Sequence, residues 1–374
     1  MLLALAPAVA FQPARATDGE AIGATLPSSA NYIVTLKEGA EIPAYISPNH
    51  IYHHAVNGFS ATLTPEEIAL LRGNPDVIAI EADKPVKLDP APSTEAELPW
   101  YQQFSPPWNL DRIDQRFGLN NRYIFRYTGA SVRAYVIDTG IQTDQGEFGD
   151  RAINVFDAFG GDGVDCQGHG THVSGTVGSQ SWGVAKLVRL RGVKVFPECS
   201  GDTSTSAIIA GIDWVTAHAI HPAVANLSLG GPQSVALNTA VTTLADSGVF
   251  VSVAAGNENV DACTRSPASA PNTLTVAASD INDTKAWFSN FGPCVDLYAP
   301  GVGIPSVPLA GIYPSVLSGT SMAAPTVAGV AALIKDRYGE MSSSVVNALI
   351  IQWATQLAVN GNPLSTPNRL LFKP

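Results

Sequence analysis

The run from Thr326 through Val327, Ala328, Gly329, Val330, Ala331, Ala332, Leu333 and Ile334 to Lys335 is apolar on nearly every side. It holds no helix breaker for about three turns. A helix that is apolar all round cannot lie on a surface, so the chain has to build layers around it. The run is entered through Ser318, Gly319, Thr320, Ser321, Met322, Ala323, Ala324 and Pro325, small residues that lead into a serine. In the first turn of a buried helix, unpaired backbone N–H groups and the positive end of the macrodipole favour negative charge beside Ser321. An acyl-transfer nucleophile needs that setting. A plain helix cap is the competing reading, and the choice turns on whether a base and an acid stand elsewhere in the chain.

Layers of the required kind are written between Trp100 and Pro374. Apolar strands are predicted at 131–137, 187–196, 223–229, 249–255 and 273–278, and helical spacing at 204–219 and 234–247. Strands alternating with helices predict an α/β domain over 100–374, a parallel sheet with helices on both faces. Polar residues gather just beyond the strand ends, where such sheets bind ligands.

The preceding segment, 31–89, reads as a separate small α+β unit. Strands are predicted at Tyr32–Leu36, Phe59–Leu63 and Val77–Glu81. Thr64, Pro65, Glu66 and Glu67 form a capping box with proline at the first helical position, and Gly73, Asn74 and Pro75 end that helix. Residues 90–99 carry three prolines and read as an exposed linker open to proteolysis. Residues 1–16 begin with the apolar stretch Met1–Ala10 and hold two small-x-small sites, which reads as a secretory leader lacking its basic n-region.

Composition excludes several partners. Lys and Arg total 21 against 32 Asp and Glu, and the net charge of −11 argues against nucleic acid and against an anionic membrane surface. No run of about 18 apolar residues exists to span a bilayer. The cysteines Cys166, Cys199, Cys263 and Cys294 form no C-x-x-C, which disfavours a zinc ribbon. In a secreted chain they imply two disulfides, with three pairings open.

Base and acid candidates follow from position. Asp138 ends an apolar strand, so it should be buried and fixed. His169 lies between two glycines at the start of a small-residue helix, free to reach into a cleft. Asn257 ends the longest apolar strand and can donate from its amide. The chain order Asp, His, Ser is that of subtilisin. The flanks are Val136-Ile137-Asp138-Thr139-Gly140, Gly168-His169-Gly170-Thr171-His172-Val173, Ala254-Ala255-Gly256-Asn257 and Gly319-Thr320-Ser321-Met322-Ala323-Ala324-Pro325. In these motifs the chain resembles the subtilisin-like serine proteases, and within them the proteinase K branch with its aqualysin-type enzymes.

The resemblance implies a secreted serine endopeptidase, active as a monomer on proteins and peptides, without a catalytic cofactor. Ser321 attacks the scissile carbonyl, His169 carries the proton and Asp138 holds the imidazole. Asn257 and the Ser321 N–H form the oxyanion hole, and His172 is structural. Ser228, Leu229 and Gly230, with a strand near Ser200, Gly201 and Asp202, would pair with an extended substrate. Ala254, Ala255, Gly256 and Ala262 would wall a pocket for aliphatic or aromatic side chains. The implied disulfides are Cys166–Cys199 and Cys263–Cys294. A structural calcium ion is implied at the Pro271 and Thr273 carbonyls and the Asp280 carboxylate. Residues 31–89 resemble the family's inhibitory propeptide, a ferredoxin-like fold removed by self-cleavage. Glu38 to His53 holds Pro43 and Pro48 and shows weak helical spacing where the family has a full helix, so the inhibitor fold is expected to be abbreviated.

Overall fold

The computed structural model describes residues 29–52, 57–83 and 99–374. They fall into two compact units, 29–83 and 99–374. The expected leader and almost all of the linker lie outside the described residues.

The leading unit contains β1 (Ala30–Leu36), β2 (His50–Tyr52), β3 (Gly58–Leu63), α1 (Pro65–Arg72) and β4 (Val77–Ala82). Its sheet has the order β2-β3-β1-β4, with β1 antiparallel to β3 and β4. The capping box forms as expected: Thr64 Oγ1 accepts the Glu67 N–H at 3.2 Å and Glu67 Oε2 accepts the Thr64 N–H at 2.8 Å. Val34, Leu36, Phe59, Ala61 and Leu63 alternate inward onto Leu71. A ferredoxin-like unit carries two crossover helices; here α1 is the one described. The stretch holding Pro43 and Pro48 makes turns and the short β2 instead.

The second unit opens with β5 (Tyr101–Phe104), α2 (Trp108–Ile113), β6 (Arg122–Phe125), β7 (Arg133–Asp138), β8 (Ala152–Asp157), α3 (His169–Gly178) and β9 (Arg189–Lys194). It continues with α4 (Thr205–His218), β10 (Ala223–Leu227), β11 (Gly231–Pro232), α5 (Val235–Asp246), β12 (Phe250–Ala254), β13 (Arg265–Ser266), β14 (Leu274–Ser279) and β15 (Leu297–Pro300). The hairpin β16 (Ile304–Ser306) and β17 (Ser315–Leu317), α6 (Thr320–Tyr338), α7 (Ser343–Trp353), β18 (Thr355–Gln356) and β19 (Arg369–Leu370) complete it.

The main sheet runs β18-β19-β15-β14-β12-β10-β7-β9-β8, parallel throughout except for the β18–β19 pair. Its strands are buried on both faces, as parallel sheets between helices are. Val224, Phe250 and Leu274 point to α6, whereas Ala225, Leu227, Val251 and Val253 point to α4 and α5. The all-round apolar helix is therefore central: in α6 every residue from Met322 to Lys335 is buried. Its N-terminus meets the carboxyl ends of β7, β10 and β12, which is where the site forms.

Candidate active site

Ser321 lies in the first turn of α6, after Gly319. Pro325, four residues on, has no N–H to give the Ser321 carbonyl, and helix interiors normally exclude proline for that reason. The gap is closed from outside: the Ser228 hydroxyl donates to the Ser321 carbonyl at 2.7 Å. In return Ser321 Oγ donates to the Ser228 carbonyl at 3.1 Å. The proline thus couples the α6 turn to the segment after β10. In this rotamer Ser321 Oγ bonds Ser228 and not His169, although both side chains line one cavity of about 450 Å³.

His169 is the first residue of α3 and Asp138 the last of β7. His169 Nδ1 meets Asp138 Oδ1 at 2.8 Å, so the ring donates from Nδ1 and keeps Nε2 as its acceptor. Asp138 is fully buried, and its Oδ1 also accepts the Thr139 N–H at 2.8 Å. The glycines beside both residues have a steric cause. A Cβ on Gly170 would stand 2.2 Å from the Gly140 carbonyl oxygen, and Gly140 itself has φ +102°. The turn and the helix start touch backbone to backbone, which brings Asp138 within reach of the ring. Burial works against the charged imidazole, but the Asp138 carboxylate, through charge and hydrogen bond, and Asp165 behind it leave His169 above its ordinary value.

Asn257 follows β12. Its Oδ1 accepts from the Thr320 N–H at 2.8 Å and the Thr320 hydroxyl at 3.0 Å. Two donors on the oxygen fix the amide, which leaves Nδ2 for the cleft. The Ser321 N–H has no acceptor among the described residues. Together these donors suit an oxyanion above Ser321.

Two further hollows extend the cleft. Ser228, Leu229 and Gly230 share a groove of about 400 Å³ with His169, Gly201 and Asp202. A smaller hollow of about 80 Å³ is lined by Ala254, Ala255, Gly256, Ala268 and Ser321, with the Glu258–Arg265 ion pair also on its wall. Ala262 does not line it. It is fully buried in a cluster with Ala268, Ala277 and Tyr298, held by its N–H to the Phe291 carbonyl at 2.8 Å. The wall expected there is supplied by Ala268.

Residues 129–366 match the Subtilase family, and residues 43–89 match Peptidase inhibitor I9. The chain belongs to the subtilase family. Similar proteins include an "Alkaline serine exoprotease A" of Vibrio alginolyticus, 46% identical over 330 residues, which are 87% of this chain and 60% of that protein. An "Extracellular serine proteinase" of Thermus sp. (strain Rt41A) is 43% identical over 341 residues, 90% of this chain and 79% of that protein. A crystal structure of a cold adapted subtilisin-like serine proteinase matches with a TM-score of 0.70 at 45% identity, covering 72% of this chain and 99% of that one.

Both cysteine pairs of this subtilase are bridged, Cys166–Cys199 and Cys263–Cys294. His172 is fully buried, and its Nε2 is shared between the Ile304 and Ser315 carbonyls at 3.1 and 3.2 Å. Burial lowers it to about 4, so it stays neutral and pins the β16–β17 hairpin to α3. The calcium set needs correction. Thr273 immediately precedes β14 and Asp280 immediately follows it. At about 3.3 Å per residue the two stand roughly 20 Å apart, too far to share one ion. Asp280 Oδ1 instead caps its own turn through the Asn282 and Thr284 N–H groups. The carboxylate at the Thr273 end is Asp296, whose Oδ2 accepts the Thr275 N–H at 2.7 Å.

Sequence reasoning missed Asp165, which is 1% exposed. Its Oδ1 accepts from Thr139 Oγ1, Gln167 N and Gly168 N, and its Oδ2 from the N–H and hydroxyl of Thr171, all within 2.6–2.9 Å. Thr139 Oγ1 also accepts the Gly170 N–H at 2.8 Å. One carboxylate therefore holds the loop that delivers His169 and the residue next to Asp138. Asp165→Asn is expected to lower kcat about 10–100-fold through misplacement of the ring. It also removes a negative charge that favours imidazolium, so the acid limb of the pH–kcat/KM profile should move to lower pH. A lowered kcat with an unmoved limb would show that Asp165 acts through geometry alone.

Proposed function

We propose that this chain is a secreted, self-processed endopeptidase that cleaves proteins beside aliphatic and aromatic residues. The observation that carries this reading is one cleft lined by His169, Asn257 and Ser321, with Asp138 buried behind the His169 ring, beside the Ser228–Gly230 groove. The relatives' printed names, extracellular and alkaline serine proteases, support it. No helix among the described residues is long and apolar enough to cross a membrane. The I9-like segment would serve as the chain's own inhibitor until removed.

In the proposed cycle, an extended substrate lies along Ser228–Gly230 by strand addition. A substrate amide that takes the Ser228 carbonyl displaces the Ser321 hydroxyl, which then turns to Nε2 of His169. Proton transfer to Nε2 accompanies attack on the scissile carbonyl, and the imidazolium is steadied by Asp138. Asn257 Nδ2 and the Ser321 N–H receive the oxyanion, and His169 returns its proton to the leaving amine; water, deprotonated by His169, then cleaves the acyl–Ser321 ester and frees the acid. Because the neutral ring is the base, activity falls as pH drops through the raised His169 value. The apolar walls Ala254, Ala255 and Ala268 accept aliphatic or aromatic side chains. A peptide library digested and sequenced by mass spectrometry should show cuts after such residues; dominant cleavage after Lys or Arg would contradict the pocket assignment.

Calcium would be held by Asp296 with carbonyls at the Pro271–Thr273 end of β14. The donor chemistry fits a hard cation. Burial pushes the Asp296 carboxyl up to about 6, and a bound cation would relieve that cost. Bound calcium would tie the entry to β14 to the entry to β15. A chelator is expected to lower Tm by roughly 5–10 °C, the size of one saturated tight site. Asp296→Asn should start low and ignore the chelator. An unchanged wild-type Tm would rule the ion out as a stabiliser.

A further inference from the structure

A separate cavity of about 180 Å³ opens beside the C-terminal half of α6. It lies about 20 Å along that helix from Ser321. Val330, Leu333 and Ile334 form the floor, and the rings of Phe125, Tyr127 and Trp353 stand around it. Three cations line it, Arg126, Arg337 and Lys373, and the acid among the lining residues is the main-chain carboxyl of Pro374. In a chain of net charge −11, this is a local inversion of sign.

Rings more than carboxylates accompany the cations: Arg126 lies over the Trp100 ring at 5.8 Å and Lys373 over the Tyr123 ring at 5.4 Å. Arg126 and Arg337 make no ion pair among the described residues. Arg126 Nε is buried without a hydrogen-bond partner among them. Arg337 lies over the Tyr127 and Tyr338 rings at 5.5 and 4.7 Å, which orients the guanidinium plane but leaves its N–H edges free to donate. Lys373 is 5% exposed and gives its ammonium to the Ile124 carbonyl at 2.7 Å, a neutral acceptor. The nearby acids serve backbone amides. Asp336 accepts from Thr128, Gly129 and Ser131, and Asp114, whose charge reaches Lys373, accepts from Ile124. Lys373 is buried, Arg126 half-buried and Arg337 exposed, and a cation cluster of this kind beside an apolar hollow suits an anion that brings its own apolar body.

We propose that this cavity binds a small aromatic monocarboxylate. The ring rests on Leu333 and Ile334 against Phe125 and Trp353, and the carboxylate faces Lys373 and the two guanidiniums. The size agrees, since an apolar cavity of about 150 Å³ takes benzene. Arg126 and Arg337 offer the planar fork that a carboxylate matches.

The test uses enzyme whose Ser321 has been blocked by a fluorophosphonate, so that the cleft cannot contribute. Phenylacetate, phenylacetamide and acetate are titrated calorimetrically. Phenylacetate should bind, phenylacetamide at least tenfold more weakly, and acetate not measurably. Arg337→Gln and Arg126→Gln should each weaken phenylacetate severalfold, and the unblocked variants should hydrolyse casein at the parent rate. Equal affinity for acid and amide would overturn the proposal, as would affinity indifferent to both substitutions. Absence of phenylacetate binding would also overturn it, since the cations would then be satisfied by the chain's own carboxyl groups.

Discussion

Ser321→Ala lowers peptide hydrolysis by about 10⁶-fold, a magnitude known from subtilisin, a member of this family, rather than derived from this chain. The loss should fall on kcat, because the alanine variant keeps the Ser228–Gly230 groove and the small hollow that bind substrate. The variant should remain folded. Ser321 Oγ makes one hydrogen bond, to the Ser228 carbonyl, and the contact that compensates Pro325 runs through the Ser321 backbone carbonyl, which alanine retains. Steady-state kinetics with a thermal melt checks both halves. A variant with more than a hundredth of the parent kcat would remove Ser321 from the chemistry.

Asp138→Asn lowers kcat by about 10⁴-fold, the scale of the same change in a serine protease of another fold and of losing the aspartate in subtilisin. The cause is tautomeric. Asp138 Oδ1 accepts from His169 Nδ1 in a fully buried position. An asparagine amide turned toward the ring donates to Nδ1, which places the ring proton on Nε2. Nε2 then cannot take the serine proton. Shape is conserved, so substrate KM should change little while kcat collapses. The measurement is the kcat and KM pair; a fall in kcat below tenfold would mean that Asp138 merely fills space.

The four proposed catalytic positions could be picked out in the sequence because their neighbours are constrained by backbone approach. Gly140 and Gly170 are small where the β7 turn meets α3, and an all-round apolar helix announces Ser321 at its start. The abbreviation of the leading unit, which has no helix over the described residues 37–49, was legible in Pro43 and Pro48. The remaining features depend on contacts that the sequence does not display. Asp165 gains its role from amides of a loop that folds back around it. Asp280 looked close to Thr273 along the chain, yet an extended strand carries it to the opposite end of the sheet. Asp296, more than twenty residues on, returns to the right end through the parallel β14–β15 pairing. Ala262 has the composition of a pocket wall but is drawn behind the wall into the cluster around Tyr298. The sheet order, with β9 between β7 and β8, follows from crossovers that leave no local mark.

The most direct test of the account is the pH dependence of fluorophosphonate labelling, with the adduct mapped by mass spectrometry. The account predicts a single adduct on Ser321. Its rate should rise with pH through one ionisation above the ordinary histidine value of about 6.5, and His169→Ala should nearly abolish it. An adduct on another residue, or a rate indifferent to pH and to His169, would contradict the claim that Ser321 is activated by an imidazole held on Asp138.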